Sequence, residues 1–262
     1  MQTSLHPLRR LRDLGGGSLA VEVDGPIPTT LPGQFFMLRT GERWPVLLPR
    51  PFSLYDRADD GSWGSFLIKA IGPGTRALAD QQPGEKIWLT GPLGRPFPPD
   101  ERDPICVAGG VGLAPFLLLA RQRHRQGQRT RLLFGGRSRP ALAGIDDFAG
   151  IAEVHASTDD GSHGFRGMVT ALLLDLVGKG TVRAGESVFC CGPDPMMLAV
   201  AKVCEQHGLR CFLSLETYMA CGYGVCNGCT VKVQGPRFHG WPYSKTCTEG
   251  PVYEACELVH DP

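Results

Sequence analysis

The chain has 262 residues, 42% hydrophobic and 20% charged, so a packed core is expected and wholesale disorder is not. Its 27 basic and 26 acidic residues leave a formal net charge of +1, which offers no basic field for nucleic acid. Apolar runs such as Val111 to Ala120 are only ten residues long, against roughly 20 for a membrane span. The start, MQTSLHPLRRLRDLGGG, carries arginines with no apolar segment behind them and is not a secretory signal. The expectation is a soluble, cytoplasmic protein with neither nucleic acid nor membrane as partner. At roughly 100–200 residues per domain, two domains and a small third are expected.

Residues 1–100 show short alternating stretches: LAVEVDG (19–25), GQFFMLRT (33–40), SFLIKAIG (65–72) and EKIWLTGP (85–92). Gly-Pro and Asp-Gly pairs close them, and only TRALADQ (75–81) has helical periodicity. Strands at this spacing predict an antiparallel barrel or sandwich. Residues 101–212 alternate strand and helix. ICVAGG (105–110), RTRLLFGG (129–136), IAEVHAST (151–158) and ESVFCCGP (186–193) read as strands. APFLLLARQRHRQG, GMVTALLLDLV and DPMMLAVAKVCEQHG read as helices, the first and last closed by Gly127 and Gly208. That alternation predicts a parallel sheet covered by helices on both faces. Residues 213–262 hold no long periodic segment.

Four of the ten cysteines crowd into this last region as Cys221-x4-Cys226-x2-Cys229, with Cys247 after seventeen intervening residues. This is the spacing of a plant-type [2Fe–2S] site. Such a cluster needs four converging thiolates on a loop whose amides point at the sulfurs. Gly222, Gly224 and Gly228 permit the backbone conformations required. A structural zinc site usually pairs two short Cys knuckles, whereas the fourth cysteine here is single. Disulfides fit poorly with a cytosolic chain. Cys256 rivals Cys247 as fourth ligand, and the surrounding Lys-Thr-Cys-Thr-Glu-Gly-Pro-Val favours Cys247. The other cysteines (106, 190, 191, 204, 211 and 256) read as buried small hydrophobes. The seven histidines, His6, His124, His155, His163, His207, His239 and His260, lack ligand-like spacing and read as surface or loop residues.

Two turns could hold phosphates. VAGGVGLAP (107–115) places three glycines between a strand and a helix, and CGPDPMM (191–197) ends a later strand. Together they frame the carboxyl ends of a parallel sheet, where ligands bind in such folds. Upstream, RPFSLYD (50–56) offers a cation, an aromatic and a hydroxyl, and GPGT (72–75) puts Gly74 and Thr75 at a helix cap. An ordinary strand start and a plain cap are the alternatives for these two.

The order RPFS, GPGT, GPLGRPF (91–97), VAGGVGLAP, CGPDPMM and SLETYMACGYGVCNGCTVKV (214–233) resembles the ferredoxin–NAD(P)+ reductase superfamily. Within it, the pattern is similar to the electron-transfer subunits of NAD-dependent dihydroorotate dehydrogenase. The resemblance implies three domains: an FAD-binding antiparallel β-barrel (1–100), an NAD-binding parallel α/β domain (101–212) and a [2Fe–2S] domain (213–262). FAD would lie along Arg50, Pro51, Phe52 and Ser53, beside Leu67, Ile68 and Lys69, with its diphosphate at Gly74 and Thr75. NAD(H) would meet Gly109, Gly110 and Gly112. Cys191 matches a cysteine near the nicotinamide, although the Cys190–Cys191 doublet leaves open which thiol faces the site. Arg137 and Ser138 follow the second strand, where the 2′-phosphate of NADP would lie, so NAD rests on the family alone.

Hydride arrives from NADH as an electron pair and an iron–sulfur cluster accepts single electrons, so a flavin between them completes a redox chain. The implied partner is an FMN-containing catalytic subunit that oxidises dihydroorotate to orotate in pyrimidine synthesis, in a heterotetramer. Two alternatives stand beside this. One is a flavin subunit of a hydrogenase, sulfide dehydrogenase or sulfite reductase type complex; the other is a zinc-stapled, non-redox interaction module.

Overall fold

The computed structural model describes residues 2–259. Six strands close the N-terminal barrel: β1 (Gln2–Gly15), β2 (Ser18–Asp24), β3 (Phe35–Thr40), β4 (Arg50–Arg57), β5 (Trp63–Lys69) and β6 (Lys86–Leu93), in the order β1-β2-β5-β4-β3-β6. All its pairings are antiparallel. The 14-residue β1 was not legible in the basic start of the chain. Its Arg10 is satisfied by Glu22 on β2, and its Leu8 enters the barrel core. His6 corrects the surface reading of the histidines: it is buried, between the Asp24 carbonyl and the Ser4 hydroxyl. His260 lies outside the described residues.

Period-two alternation explains the uniformly apolar runs. On β3, Phe36 and Leu38 fill the barrel, while Phe35 and Met37 point outward into a second apolar cluster with Met219, Cys229 and Cys247. A strand buried on both faces loses the polar half of its pattern. Helix α1 (Pro73–Ala79) follows β5. Its N-cap is Gly72 rather than Gly74 or Thr75, and the Thr75 hydroxyl reaches back to the Ile71 and Gly72 amides.

The second unit alternates β7 (Ile105–Gly109), α2 (Ala114–Arg125), β8 (Arg131–Gly136), β9 (Glu153–Thr158), β10 (Phe165–Arg166), α3 (Val169–Gly178), β11 (Ser187–Cys191), α4 (Asp194–Gln206) and β12 (Arg210–Ser214). These strands are all parallel, in the order β10-β9-β8-β7-β11-β12. One face packs on α2 and the barrel, and the other on α3 and α4. Past Ser214 the chain forms a small ladder, β13 (Thr230–Lys232) with β14 (Tyr243–Lys245), then returns as β15 (Val252–Glu254) to pair antiparallel with β12. The C-terminal segment is thereby built onto the edge of the parallel sheet. Among the described residues no helix is long and apolar enough to cross a membrane.

A polar network fastens the barrel to the sheet unit. Both Nη atoms of Arg12 on β1 donate to the Asp147 carboxylate at 2.8 Å, and the buried Tyr55 hydroxyl on β4 donates to the same group at 2.7 Å. Burial, the Asp147 charge and that bond push the Tyr55 hydroxyl far above its ordinary pKa, so it stays a donor. Asp147→Ala removes the acceptor the two donors share, leaving Arg12 a 3.5 Å contact with Glu22 and Tyr55 a 3.5 Å bond to the Gly144 carbonyl, at a cost of about 2–3 kcal/mol. We expect Tm to fall by about 5–10 °C. An unchanged thermal melt would remove this network from the stabilising contacts.

Candidate functional site

The chain moves outward from β7 through β8 and β9, then crosses back to place β11 on the other side of β7. A crevice therefore opens at the carboxyl ends of β7 and β11, where the strand order reverses. Gly109, Gly110 and Gly112 lie on one lip and Cys191, Gly192 and Pro193 on the other. A Cβ at Gly112 would overlap the Cys191 carbonyl and approach the Gly192 nitrogen to 2.6 Å, and one at Gly109 would come within 2.6 Å of Met196 Sδ. Gly110, at φ +56°, faces open space. Close approach of two backbones is why glycine is needed at 112, whereas at 109 the crowding atoms are the Met196 and Pro193 side chains.

Adjoining this crevice at Cys191, a cleft of about 250 Å³ lies between the two units. Pro51, Phe52, Ser53, Leu67, Ile68, Lys69 and Thr75 line its barrel side, and Val111, Ala114 and Cys191 its sheet side. Arg50 and Gly74 are not in the lining. Arg50 turns back so that Nη1 donates to the Leu48 carbonyl at 2.9 Å, and Gly74 is buried against Trp44. The doublet separates by strand alternation. Cys191 faces the cleft, whereas Cys190 points to the opposite face among Val200 and Cys204 of α4. Burial, then the Glu216 charge, raise the Cys191 thiol well above its ordinary pKa against a hydrogen bond with Ser214, so it is neutral at physiological pH.

The sequence reading missed the third wall, Ser214 to Thr217 with Met219, which carries the chain from β12 into the cysteine loop; Phe35, Ile71 and Pro251 complete the lining. In the sequence it stands only as SLETYM, the head of the 214–233 cysteine segment, with nothing to mark it as a cleft wall. Glu216 is open to solvent on one side, yet desolvation by the cleft walls, then Asp194, hold its carboxyl above the ordinary range. The Thr217 hydroxyl is buried and has no hydrogen-bond partner in the chain. A buried polar atom left unpaired costs about 1–3 kcal/mol, so this wall fits a cleft completed by a bound group with polar edges.

The cysteine loop sits over the outer face of β3. Cys229 and Cys247 are buried against Phe35, Met37, Leu93 and Met219; Cys221 is half-buried and Cys226 exposed. Cys226 is a neighbour that perturbs the Cys221 thiol, and Cys229 and Cys221 are neighbours that perturb the Cys247 thiol. Among the described residues, no three side chains of His, Cys, Asp or Glu converge tightly enough for a single metal ion. Partial burial opposes ionisation of Cys221, but amides of Cys226, Tyr223 and Val225 and the Cys226 thiol outweigh it and bring the pKa to about 6. Burial and the neighbouring Cys229 push Cys247 up to about 12 against the Gly224 amide. A wall of N–H donors around sulfur suits a centre that gathers thiolate charge. The loop's left-handed residues are Gly222, Gly224 and Asn227, not Gly228; asparagine tolerates that conformation. Cys256 lies on the turn Ala255–Glu257, beside Glu254, Glu257 and Arg210 and outside the apolar seat of Cys229 and Cys247. It is exposed, which corrects its reading as a buried hydrophobe; Cys106, Cys190, Cys191, Cys204 and Cys211 are buried as expected. Arg137 is exposed just beyond β8, with Ser138 half-buried beside it.

Residues 216–259 match the family model described as the iron–sulfur cluster binding domain of dihydroorotate dehydrogenase B, and residues 106–202 match the oxidoreductase NAD-binding domain. The chain is 34% identical over 232 residues to the dihydroorotate dehydrogenase B (NAD(+)) electron transfer subunit of Geobacillus kaustophilus, covering 87% of this chain and 86% of that protein. Among solved structures, it is similar to an NADH-dependent reduced ferredoxin-NADP oxidoreductase studied for flavin-based electron bifurcation. That match has a TM-score of 0.83 at 24% identity, over 98% of this chain and 91% of that one. A ferredoxin NADP+ reductase from Neisseria gonorrhoeae with bound FAD and NADP matches at TM-score 0.66 and 18% identity, over 79% and 92% of the two chains.

Proposed function

The chain belongs to the family of dihydroorotate dehydrogenase B (NAD(+)) electron transfer subunits, and from that premise we propose that it passes electrons between NAD(H) and the FMN of a dihydroorotate dehydrogenase catalytic subunit, through FAD and a [2Fe–2S] cluster. One observation carries this reading. A single cleft brings together the β4–β5 edge of the barrel, the crevice at the strand reversal, and the segment that runs into the four-cysteine loop.

When bound, FAD accepts electrons as a pair and releases them singly, the conversion needed between a hydride donor and an iron–sulfur centre. In this reading residues 1–100 bind FAD, residues 101–212 bind NAD(H) and residues 213–262 hold the cluster. Pro51, Phe52, Ser53, Leu67, Ile68 and Lys69 shape the flavin site, with Arg50 and the Gly74–Thr75 turn toward its phosphates. Gly109, Gly110 and Gly112 give the nucleotide close access to backbone amides. Cys191, a neutral, compact thiol on the cleft wall, would stand beside the nicotinamide. Cys221, Cys226, Cys229 and Cys247 would hold the cluster as its four thiolate ligands. The partner completes a heterotetramer in the cytoplasm. The match at residues 216–259 favours the dihydroorotate partner over a hydrogenase, sulfide dehydrogenase or sulfite reductase type complex, and an iron–sulfur centre over zinc.

The purified chain is expected to be brown, with broad visible absorbance and acid-labile sulfide; a colourless, zinc-containing protein would overturn the reading. Further, a Cys226→Ser variant that keeps FAD should reduce ferricyanide with NADH as the wild type does, yet fail to support NADH-linked turnover when mixed with the catalytic subunit. Normal turnover by that variant would take the cluster off the electron path.

A further inference from the structure

Thr217 stands out among the polar groups of the cleft because its hydroxyl is buried and unpaired, whereas the Thr75 hydroxyl is committed to its own turn and the Cys191 thiol to Ser214. It lies three residues past the end of β12 and four before Cys221, on the wall that leads to the cluster loop. Its neighbour Met219 lines the cleft and also packs with Cys229 and Cys247. The wall therefore touches both the flavin space and the cysteine seat. Most buried hydroxyls have a partner; of the four buried hydroxyls without one among the described residues, on Ser65, Thr130, Ser157 and Thr217, only that of Thr217 belongs to a residue lining the cleft.

We propose that Thr217 is a flavin-binding residue: its hydroxyl hydrogen-bonds the polar edge of the isoalloxazine ring and pins that edge to the segment carrying the cluster ligands. The proposal rests on the reading of the cleft as the FAD site. The sign of the expected effects sets it apart from a packing role. In the FAD-free chain the hydroxyl gains nothing from its surroundings, so Thr217→Val leaves the fold at least as stable. In the FAD-bound chain the same change removes a hydrogen bond.

The test uses the full chain stripped of flavin and titrated with FAD. Thr217→Val is expected to bind FAD about three- to tenfold more weakly, the loss of one net hydrogen bond. Its iron content should stay at the wild-type value, and the visible bands of its residual flavin should shift. Thr217→Ser should restore both affinity and spectrum. Wild-type FAD affinity and spectrum in Thr217→Val would overturn the proposal. So would loss of iron together with FAD, which marks a structural role, or weakened NADH binding with FAD untouched, which assigns the hydroxyl to the nicotinamide. If the wild type itself bound no FAD, the functional reading would fall first, so the two failures are distinguishable.

Discussion

Serine at Cys221, Cys226, Cys229 or Cys247 is expected to strip the protein of most of its iron and acid-labile sulfide, while Cys256→Ser retains both in full. A [2Fe–2S] centre takes four thiolates, and serine removes the soft ligand it requires. The positions are not equivalent in their surroundings. Cys229 and Cys247 are buried on Phe35 and Met37 of β3, so a serine there also leaves a desolvated hydroxyl in an apolar seat. The Cys229 variant additionally disturbs the segment whose carbonyl accepts from both the Thr246 amide and hydroxyl. Cys226 is exposed, and its serine variant should lose the cluster with the least damage to the fold. Barrel strands β4 and β5 do not depend on the loop for their pairing, so FAD should remain in that variant. Iron and sulfide assays on the five variants, with visible spectra, decide the ligand set. Full iron in Cys247→Ser together with loss in Cys256→Ser would make Cys256 the fourth ligand.

Gly112→Ala should disable the nucleotide crevice. The added methyl meets the carbonyl of Cys191 and the nitrogen of Gly192, both backbone atoms tied into the end of β11. A flexible side chain could swing away, but here β11 or the turn before α2 must move. Overpacking of this kind typically costs 1–3 kcal/mol or more. The displaced element is the lip that carries Cys191, so NADH affinity should fall at least tenfold, equivalent to about 1.4 kcal/mol. Iron content, set by a loop seated on the barrel, should be unchanged. Gly178→Ala is the control. It sits at the last turn of α3 with open space around it, and should leave NADH binding intact while raising stability by up to about 1 kcal/mol. Equal NADH affinity in Gly112→Ala and wild type would show that the crevice is not the nucleotide site.

The cysteine spacing, the glycine turns and the alternation of strand with helix were readable in the linear chain, because each depends on residues close in sequence. The four thiols at 221, 226, 229 and 247 lie within 27 residues, and a tight loop has few ways to arrange them. Strands β7, β8, β9 and β11 announced themselves as apolar runs between helices that end in glycine. Local pattern was silent where long-range contacts set the environment. The arginines of β1 look like a solvated tail until Glu22 and Asp147 come to meet them from β2 and the sheet unit. FFML in β3 cannot say that one face fills a barrel and the other seats a cysteine loop 180 residues away. Cys190 and Cys191 are interchangeable as neighbours in a string, and only the pleat of β11, fixed by pairing with β7 and β12, turns one thiol to the cleft and the other to α4. The Ser214–Met219 wall is legible only as the lead-in to the cysteine motif of 214–233. It becomes part of the site because β15 pairs back onto β12 and the loop ahead of it docks on the barrel, bringing Thr217 into a cleft that no single segment encloses.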